Sequence, residues 1–202
     1  EDTGLIIEIG DWVLSEACRL LRLWATDPQK SRLVLAVNVS AKQFRKADFV
    51  FGVERILRET QANPARLKLE LTESLLIDDV EEVIAKMEAL RKLGVRFALD
   101  DFGTGYSSLA YLRRMPLQQL KIDKSFVSDV DKSSQNSVIA RTIVGLAQNL
   151  NLDVLAEGIE TPEQLRSLSE FGCARFQGYH FAAPVPIEQF EELVVVRGVG
   201  EA

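Results

Sequence analysis

The sequence has few of the residues that build zinc centres and disulfide frameworks. It contains one histidine and two cysteines in 202 residues, which excludes a zinc site of the usual histidine and cysteine kind. Cys18 and Cys173 each stand among apolar residues, so we expect buried thiols rather than a disulfide. Free thiols are typical of a reducing compartment, which predicts a cytoplasmic location for this domain.

Further absences narrow the function classes. No apolar run is long enough to span a bilayer and no signal-peptide pattern is present, so this domain is not expected to contact a membrane, although a parent protein can be anchored elsewhere. The formal net charge of −6 argues against binding of a nucleic-acid polymer. The sequence also lacks a glycine-rich phosphate loop after its first strand-like run, which weakens the Rossmann and P-loop interpretations.

Six apolar runs of strand character are present, and each one ends at a polar residue. The runs and the residues that follow them are Leu33–Val37 with Asn38, Leu67–Leu69 with Glu70, Val95–Leu99 with Asp100 and Asp101, Gln119–Leu120 with Lys121, Val154–Ala156 with Glu157, and Ala174–Phe176 with Gln177. Helical periodicity between the runs predicts a parallel α/β fold, either a barrel or a doubly wound sheet. Polar residues at every strand end favour a TIM-like (β/α) barrel, with roughly six of its eight strands in this chain.

The helices are predicted from apolar stripes, caps and breakers. They are a first helix with its stripe from Ile9 to Trp24, a helix from Ala41 to Glu59, one from Asp78 to Leu93, a short one from Ser107 to Arg114, a long one from Ser134 to Leu150, one that starts at Thr161 and ends near Gly172, and a last one from Ile187 to Val196. We find no linker, so the sequence predicts one domain over 1–202.

The acidic and amide residues at the strand ends form a ligand set made only of oxygen atoms. The set consists of Asn38, Glu70, Asp100, Asp101 and Glu157. Such a set suits Mg²⁺, Mn²⁺ or Ca²⁺. Two such ions, about 3.5–4 Å apart, promote cleavage of a phosphodiester. Strand alternation predicts that the two adjacent aspartates point to different sides, and Lys121 can hold a water or offset phosphate charge. The structural alternative is a rim of ion pairs in which Lys121 bridges two aspartates.

A polar segment with two glycines follows the acidic pair. It consists of Asp101, Phe102, Gly103, Thr104, Gly105, Tyr106, Ser107 and Ser108. From spacing alone it is either a mobile gate near the metals or an ordinary turn. Glu73 is either an anchor for this loop or an exposed acid that caps a helix.

Six segments taken together resemble the EAL-domain family of bacterial cyclic-di-GMP phosphodiesterases. They are Asn38–Phe44, Glu70–Ser74, Asp100–Ser108, Lys121–Asp123, Ala156–Thr161 and Gln177–Tyr179. They occur in the order of the family and cover nearly the whole chain. The resemblance implies a TIM-like barrel that binds two Mg²⁺ or Mn²⁺ ions, is inhibited by Ca²⁺, and hydrolyses cyclic-di-GMP to linear pGpG.

The resemblance also assigns roles to residues. It implies metal binding by Asn38, Glu70, Asp100, Asp101 and Glu157. It implies catalysis by Lys121, which positions the water, together with Glu157. Glu160, Gln177 and Asp123 would belong to the surrounding substrate site. Glu73 would hold the loop gate, whose residues include Phe102, Gly103, Thr104, Gly105, Tyr106 and Ser107.

Family members commonly dimerise, which predicts a homodimer through the 101–108 loop region and the helix at 134–150. They also commonly follow a sensory or diguanylate-cyclase-like domain, which we expect upstream here. Glu1–Ile6 resembles the region downstream of the Glu-Ala-Leu motif, so we expect the chain to be an N-terminally incomplete domain. The alternative functions are a catalytically inactive cyclic-di-GMP receptor and an unrelated metal-dependent barrel hydrolase.

Overall fold

The chain alternates strands and helices along its length. A computed structural model describes residues 5–76, 79–105, 109–132 and 135–197. The strands are β1 (Leu35–Val39), β2 (Leu67–Thr72), β3 (Arg96–Phe102), β4 (Gln119–Ile122), β5 (Asp153–Ala156) and β6 (Arg175–Phe176). The helices are α1 (Leu5–Trp24), α2 (Ala41–Phe44), α3 (Phe49–Thr60), α4 (Val80–Leu93), α5 (Leu109–Leu112), α6 (Lys124–Val127), α7 (Gln135–Asn149), α8 (Pro162–Glu170) and α9 (Ile187–Arg197).

The strands form a sheet in which neighbours in space are neighbours in sequence. The order is β1-β2-β3-β4-β5-β6, and the pairs β3–β4, β4–β5 and β5–β6 are parallel. Parallel neighbours joined by helices are the building units of the TIM-barrel class. The predicted α/β class with six of the eight strands is therefore confirmed.

The first of two compact units combines three stretches of the chain, Glu1–Glu70, Ala85–Arg96 and Pro184–Ala202. Its core is built from α1, β1 and α3, with side chains such as Leu14, Val37 and Val53 that are almost fully buried. Here α9 contacts α1 through a tilted pair of rings, Trp24 and Phe190, with centroids 5.9 Å apart. Burial of these apolar surfaces is the main stabilising contribution to this unit.

The second unit consists of Leu71–Ile84 and Phe97–Ala183. The paired strands β4 and β5 lie at its centre, and α7 packs against both. Leu99, Leu120, Ile122, Val144 and Ala156 are fully buried here. The near-continuous apolar character of these strands is what a sheet covered by helices requires. A charged side chain at a strand end of this unit therefore lies at the edge of a closely packed apolar core.

One predicted helix is wrong, because Ala41–Glu59 forms two helices instead of one. The helix α2 ends at Phe44 and α3 begins at Phe49. The ammonium of Lys86 donates to the carbonyl oxygens of Phe44, Arg45 and Lys46 at 3.2, 3.0 and 2.9 Å. These carbonyls would otherwise accept from the next turn of a continued helix. The contact with Lys86 therefore stabilises the break.

The predicted strand ends need a smaller correction. Asn38, Glu70, Asp100 and Lys121 lie within the last residues of their strands, whereas the sequence placed them just beyond. Each of these strands continues for one or two residues past the named polar residue, because a polar side chain does not interrupt backbone pairing. Glu157 and Gln177 follow β5 and β6 directly, as predicted.

Candidate metal centre and active site

Three carboxylates come together at the carboxyl ends of β3 and β5. Asp100, Asp101 and Glu157 each offer an oxygen atom, and these oxygens lie within 4.8 Å of one another. We call these three residues the acid cluster. Asp100 is buried, while the other two are partly exposed. Carboxylates so close together repel unless a cation compensates them.

The adjacent aspartates reach the same place because the end of β3 is irregular. Strand alternation would direct Asp100 and Asp101 to opposite faces. Asp101 instead has a φ of 53°, and the pairing of β3 with β4 shifts between Leu99 and Phe102. A left-handed residue at a register shift redirects its side chain, as in a β-bulge. The prediction that the two aspartates point to different sides is therefore wrong.

Lys121 is the cation that compensates the acid cluster. Its side chain is 4% exposed, and its Nζ lies 3.0 Å from Asp100 Oδ2 and 2.7 Å from Glu157 Oε1. The predicted structural alternative, in which Lys121 bridges two aspartates, is thus replaced by a bridge between an aspartate and a glutamate. With all four groups ionised, three carboxylates and one ammonium leave a net negative charge, so the site still favours a further cation.

The protonation tendencies of the neighbouring acids agree with a cation site. Burial, and then the charges of Asp100 and Asp123, raise the pKa of Asp101 above its usual value. Burial also acts to raise the pKa of Asp123, but hydrogen bonds from Ser125 outweigh it, and this pKa lies below its usual value. A bound cation favours the ionised form of Asp101. Carboxyl groups with shifted pKa values close to one another are common at functional sites.

The two remaining predicted ligands belong to the first unit. Asn38 is an exposed residue of β1, and Glu70 is a buried residue of β2, 8% exposed. Burial of a glutamate is costly without a compensating partner. Both side chains carry oxygen donors near the carboxyl end of their strands, and their metal-binding role stays a prediction.

Glu73 contacts the loop that follows β3. Its Oε2 accepts hydrogen bonds from the backbone of Gly103 at 3.2 Å and of Gly105 at 2.9 Å. The side chain is 5% exposed. Thr104 adds a local bond from its hydroxyl to the carbonyl oxygen of Asp101 at 2.8 Å. A carboxylate that accepts two amide bonds fixes the path of this loop beside the acid cluster.

The other residues predicted for the loop gate are placed only in part. Phe102 is the last residue of β3 and is buried. Gly103 has a φ of 100°, and a Cβ atom there would lie 3.0 Å from the ring of Phe126. The positive φ strains any other residue at this position, and the close approach to the ring adds to that cost. Tyr106 and Ser107 lie outside the described residues.

The loops after β5 and β6 are joined by backbone hydrogen bonds. The amide of Ile159 donates to the carbonyl oxygen of Gln177 at 3.0 Å, and that of His180 donates to Ile159 O at 2.9 Å. A Cβ atom on Gly178 would come within 2.2 Å of the Ile159 backbone. Gln177 is thus held next to the loop that carries Glu157 and Glu160, as the strand-end pattern predicts.

The sequence does not predict the contacts that Gln164 makes beside this site. The sequence marks it only as the third residue of a capped helix. In the structure its side chain is buried and contacts the backbone of Glu160, Thr161 and Ser128. The one signal in the sequence is the capping pattern Thr-Pro-Glu-Gln, and that pattern does not predict a contact 36 residues away.

A helix that spans a bilayer needs about 20 predominantly apolar residues. No helix in the described ranges is long and apolar enough to cross a bilayer.

Comparison with known proteins identifies the family to which this chain is similar. The family model that matches is the EAL domain, over residues 1–184. The bifunctional diguanylate cyclase/cyclic di-GMP phosphodiesterase MucR of Pseudomonas aeruginosa is 44% identical over 189 residues, which are 94% of this chain and 27% of MucR. The cyclic di-GMP phosphodiesterase NbdA of the same species is 44% identical over 194 residues, which are 96% of this chain and 25% of NbdA.

The fold agrees with that of a solved relative. The structure of the MucR phosphodiesterase in complex with c-di-GMP has a TM-score of 0.89 and 43% identity, and the match covers 94% of this chain and 76% of that chain. The chain spans about a quarter of the length of the curated relatives that it matches. Additional regions of those relatives have no counterpart in these 202 residues.

Proposed function

Because this chain belongs to the EAL-domain family, we propose that it hydrolyses cyclic-di-GMP to linear pGpG at a site built around the acid cluster. The observation that carries the proposal is the group of three carboxylate oxygens within 4.8 Å, with the buried ammonium of Lys121 against two of them. Relatives at 44% identity are named cyclic di-GMP phosphodiesterases.

The residues present fit a divalent cation. The cluster offers only carboxylate oxygens, which Mg²⁺ and Mn²⁺ prefer over the nitrogen and sulfur donors of a zinc site. We propose two such ions, with Asn38 and Glu70 as further ligands, and inhibition by Ca²⁺. When bound, the ions supply Lewis-acid activation of water and stabilise negative charge on the phosphate.

The protein's own residues bind, orient and hold charge during hydrolysis. A water oxygen attacks phosphorus, the bond from phosphorus to the 3′ oxygen breaks, and that oxygen takes up a proton while the 5′-phosphate remains on the product. The ammonium of Lys121 donates hydrogen bonds to the attacking water or to a phosphate oxygen. It is already oriented by Asp100 and Glu157, so little reorganisation accompanies the reaction.

The surrounding residues determine how the substrate lies. Glu160, Gln177 and Asp123 stand on the loops after β5, β6 and β4. We propose that they contact the substrate or orient the residues that do. Glu73 keeps the start of the loop gate in place through two amide bonds.

Assembly is a further part of the proposal. The side chain of Val138 on α7 is 64% exposed, and an apolar groove of ≈ 580 Å³ lies beside this helix. The groove is lined by Leu109, Ala110, Arg113, Arg114, Leu146 and Leu150. We propose that this face and the loop at 101–108 form a homodimer contact. Sedimentation should show a dimer in the wild type and a monomer in Val138→Asp.

Two proposals concern the protein that contains the domain. The curated relatives are about four times as long as this chain, which supports an upstream sensory or diguanylate-cyclase-like domain. Cys18 and Cys173 are free thiols, which supports a cytoplasmic location. Cysteine labelling with a membrane-impermeant reagent in intact cells that express the full-length protein tests the second proposal, and labelling of an unfolded-state control only after lysis is the expected result. Labelling of this domain from outside the cytoplasm contradicts the proposal.

The decisive experiment follows pGpG formation by chromatography after incubation of the full-length protein with cyclic-di-GMP and Mg²⁺ or Mn²⁺. We expect turnover that chelation abolishes and that Glu157→Gln and Asp100→Asn remove. Asp153→Asn is the matched control, because Asp153 begins the same strand β5 and its side chain is 53% exposed. A folded protein that binds cyclic-di-GMP without forming pGpG would instead be a receptor, and the proposed function would be wrong.

A further inference from the structure

Gln164 is a polar side chain buried beside the loop after β5. It is 6% exposed. Its Oε1 accepts from the amides of Glu160 at 2.8 Å and Thr161 at 3.1 Å, and its Nε2 donates to Ser128 O at 3.2 Å. Of these side-chain bonds, only the one to Thr161 belongs to the capping box of α8. We propose that Gln164 is a positioning residue that fixes Glu160 for substrate binding, an inference that rests on the proposed function.

Glu160 lies between a loop anchored by backbone bonds up to Ile159 and the first turn of α8, and its own amide is held by Gln164. The amide of Glu157 donates to a carbonyl oxygen at the end of β4 at 3.1 Å. The amide of Ile159 donates to the loop after β6 at 3.0 Å. Beyond Ile159, the oxygen of Gln164 holds the next two amides. Glu160 is exposed, so the direction in which its Cα–Cβ bond leaves the chain depends on its own backbone.

The side-chain nitrogen of Gln164, Nε2, connects this loop to a second one. Ser128 is the C-cap of α6, and Asp123 is its N-cap, two residues after Lys121. The bond from Gln164 to Ser128 O therefore holds the loop after β5 against the helix that follows β4. Both loops carry residues of the proposed site. One buried carboxamide, with both of its ends bonded, thus sets their spacing.

Three variants separate the positioning role from a merely structural one. Gln164→Met has a similar length and removes all the bonds of the carboxamide. Gln164→Glu keeps an acceptor for the amides of Glu160 and Thr161 and loses the donor to Ser128. Thr161→Ala removes the hydroxyl that accepts from the amide of Gln164 at 3.3 Å, which weakens the helix start and leaves the carboxamide in place.

The full-length protein is assayed for pGpG formation, and Tm is measured in parallel. For Gln164→Met we expect the KM for cyclic-di-GMP to rise about five-fold, the size of one net hydrogen bond, with kcat within about two-fold of wild type. Gln164→Glu should restore most of the KM. Thr161→Ala should lower Tm and keep the wild-type KM. Adding Gln164→Met to Glu160→Gln should change KM no further, because both variants remove the same interaction.

Clear results overturn the inference. If Gln164→Met lowers Tm as Thr161→Ala does and keeps the wild-type KM, Gln164 is only a helix cap. If the effects of Gln164→Met and Glu160→Gln on KM multiply, the two residues act independently and the inference is wrong. Gln164→Asn, still polar but one methylene shorter, gives the same reading if the methionine variant does not fold. A wild-type protein without turnover contradicts the proposed function itself, and this inference then falls with it.

Discussion

Replacement of Lys121 by methionine tests the electrostatic reasoning about the acid cluster most directly. Lys121 is 3% exposed as a residue, and its ammonium lies 3.0 Å from Asp100 Oδ2 and 2.7 Å from Glu157 Oε1. Methionine fills a similar volume without the charge. The substitution therefore leaves the carboxylates of the cluster in place and removes the cation between two of them, so both packing and backbone are kept.

The size of the effect follows from the burial of the partners. The side chains of Asp100 and Glu157 are 11% and 19% exposed, so solvent screens them little. Removal of one partner of a buried ion pair costs about 3–5 kcal/mol. For a domain of this length, 1 kcal/mol corresponds to about 2–4 °C in Tm. We expect the Tm of Lys121→Met in a chelating buffer to fall by roughly 6–20 °C.

Thermal unfolding is followed by circular dichroism in EDTA and then with Mn²⁺. A divalent cation supplies the missing positive charge, so Mn²⁺ should raise the Tm of Lys121→Met by more than it raises that of the wild type. Turnover should stay lost. The control is Lys132→Met, whose ammonium contacts Asp129 at 2.6 Å with both side chains exposed, and its Tm should not change. A Lys121→Met protein as stable as wild type in EDTA would refute the reasoning.

Three further outcomes are expected. Gly178→Ala places a Cβ within 2.2 Å of the Ile159 backbone, which cannot move aside as a side chain does. The free energy of unfolding, measured with denaturant, should therefore fall by about 3 kcal/mol or more, and wild-type stability would contradict the close approach. Glu73→Ala removes the acceptor of two loop amides, and kcat should fall by about ten-fold or more while Mn²⁺ affinity is kept; an unchanged kcat would separate the loop from catalysis. Burial raises the pKa of the Cys18 thiol to about 11, so iodoacetamide at pH 8 should label it only after unfolding. Mass spectrometry of the peptide checks the labelling, and rapid labelling of the folded protein would show that Cys18 is accessible.

The sequence predicts the strands and helices well where a pattern is local. Apolar runs identify all six strands, and the helical patterns identify α4 and α7 within two residues of their ends. The stripe that starts at Ile9 finds the end of α1 at Trp24 but begins four residues after its first residue, Leu5. The break between α2 and α3 depends instead on a contact that is distant in sequence. The contact comes from Lys86, which lies 40 residues beyond Lys46, and no periodicity within 41–59 predicts it.

The same distinction applies to the site. The polar residues at the strand ends mark Asp100, Asp101 and Glu157 as a group, because parallel strands bring their carboxyl ends to one edge. Their arrangement was not predictable, since the positive φ of Asp101 replaces simple alternation at the end of β3. Gln164 was missed because its partners are backbone atoms on separate loops, which leave no pattern in the side chains.

The backbone bonds among the loops after β4, β5 and β6 also explain why activity and stability should be separable here. The amide of Glu157 donates to Ile122 O, and the amide of Gln177 donates to Ala156 O. None of these bonds uses the side chains of Glu157 or Gln177. A scaffold held by main-chain contacts tolerates a change of those side chains, whereas the chemistry does not. Substitutions such as Glu157→Gln should therefore remove turnover from a protein that still folds, which makes a loss of activity at these positions a statement about the reaction.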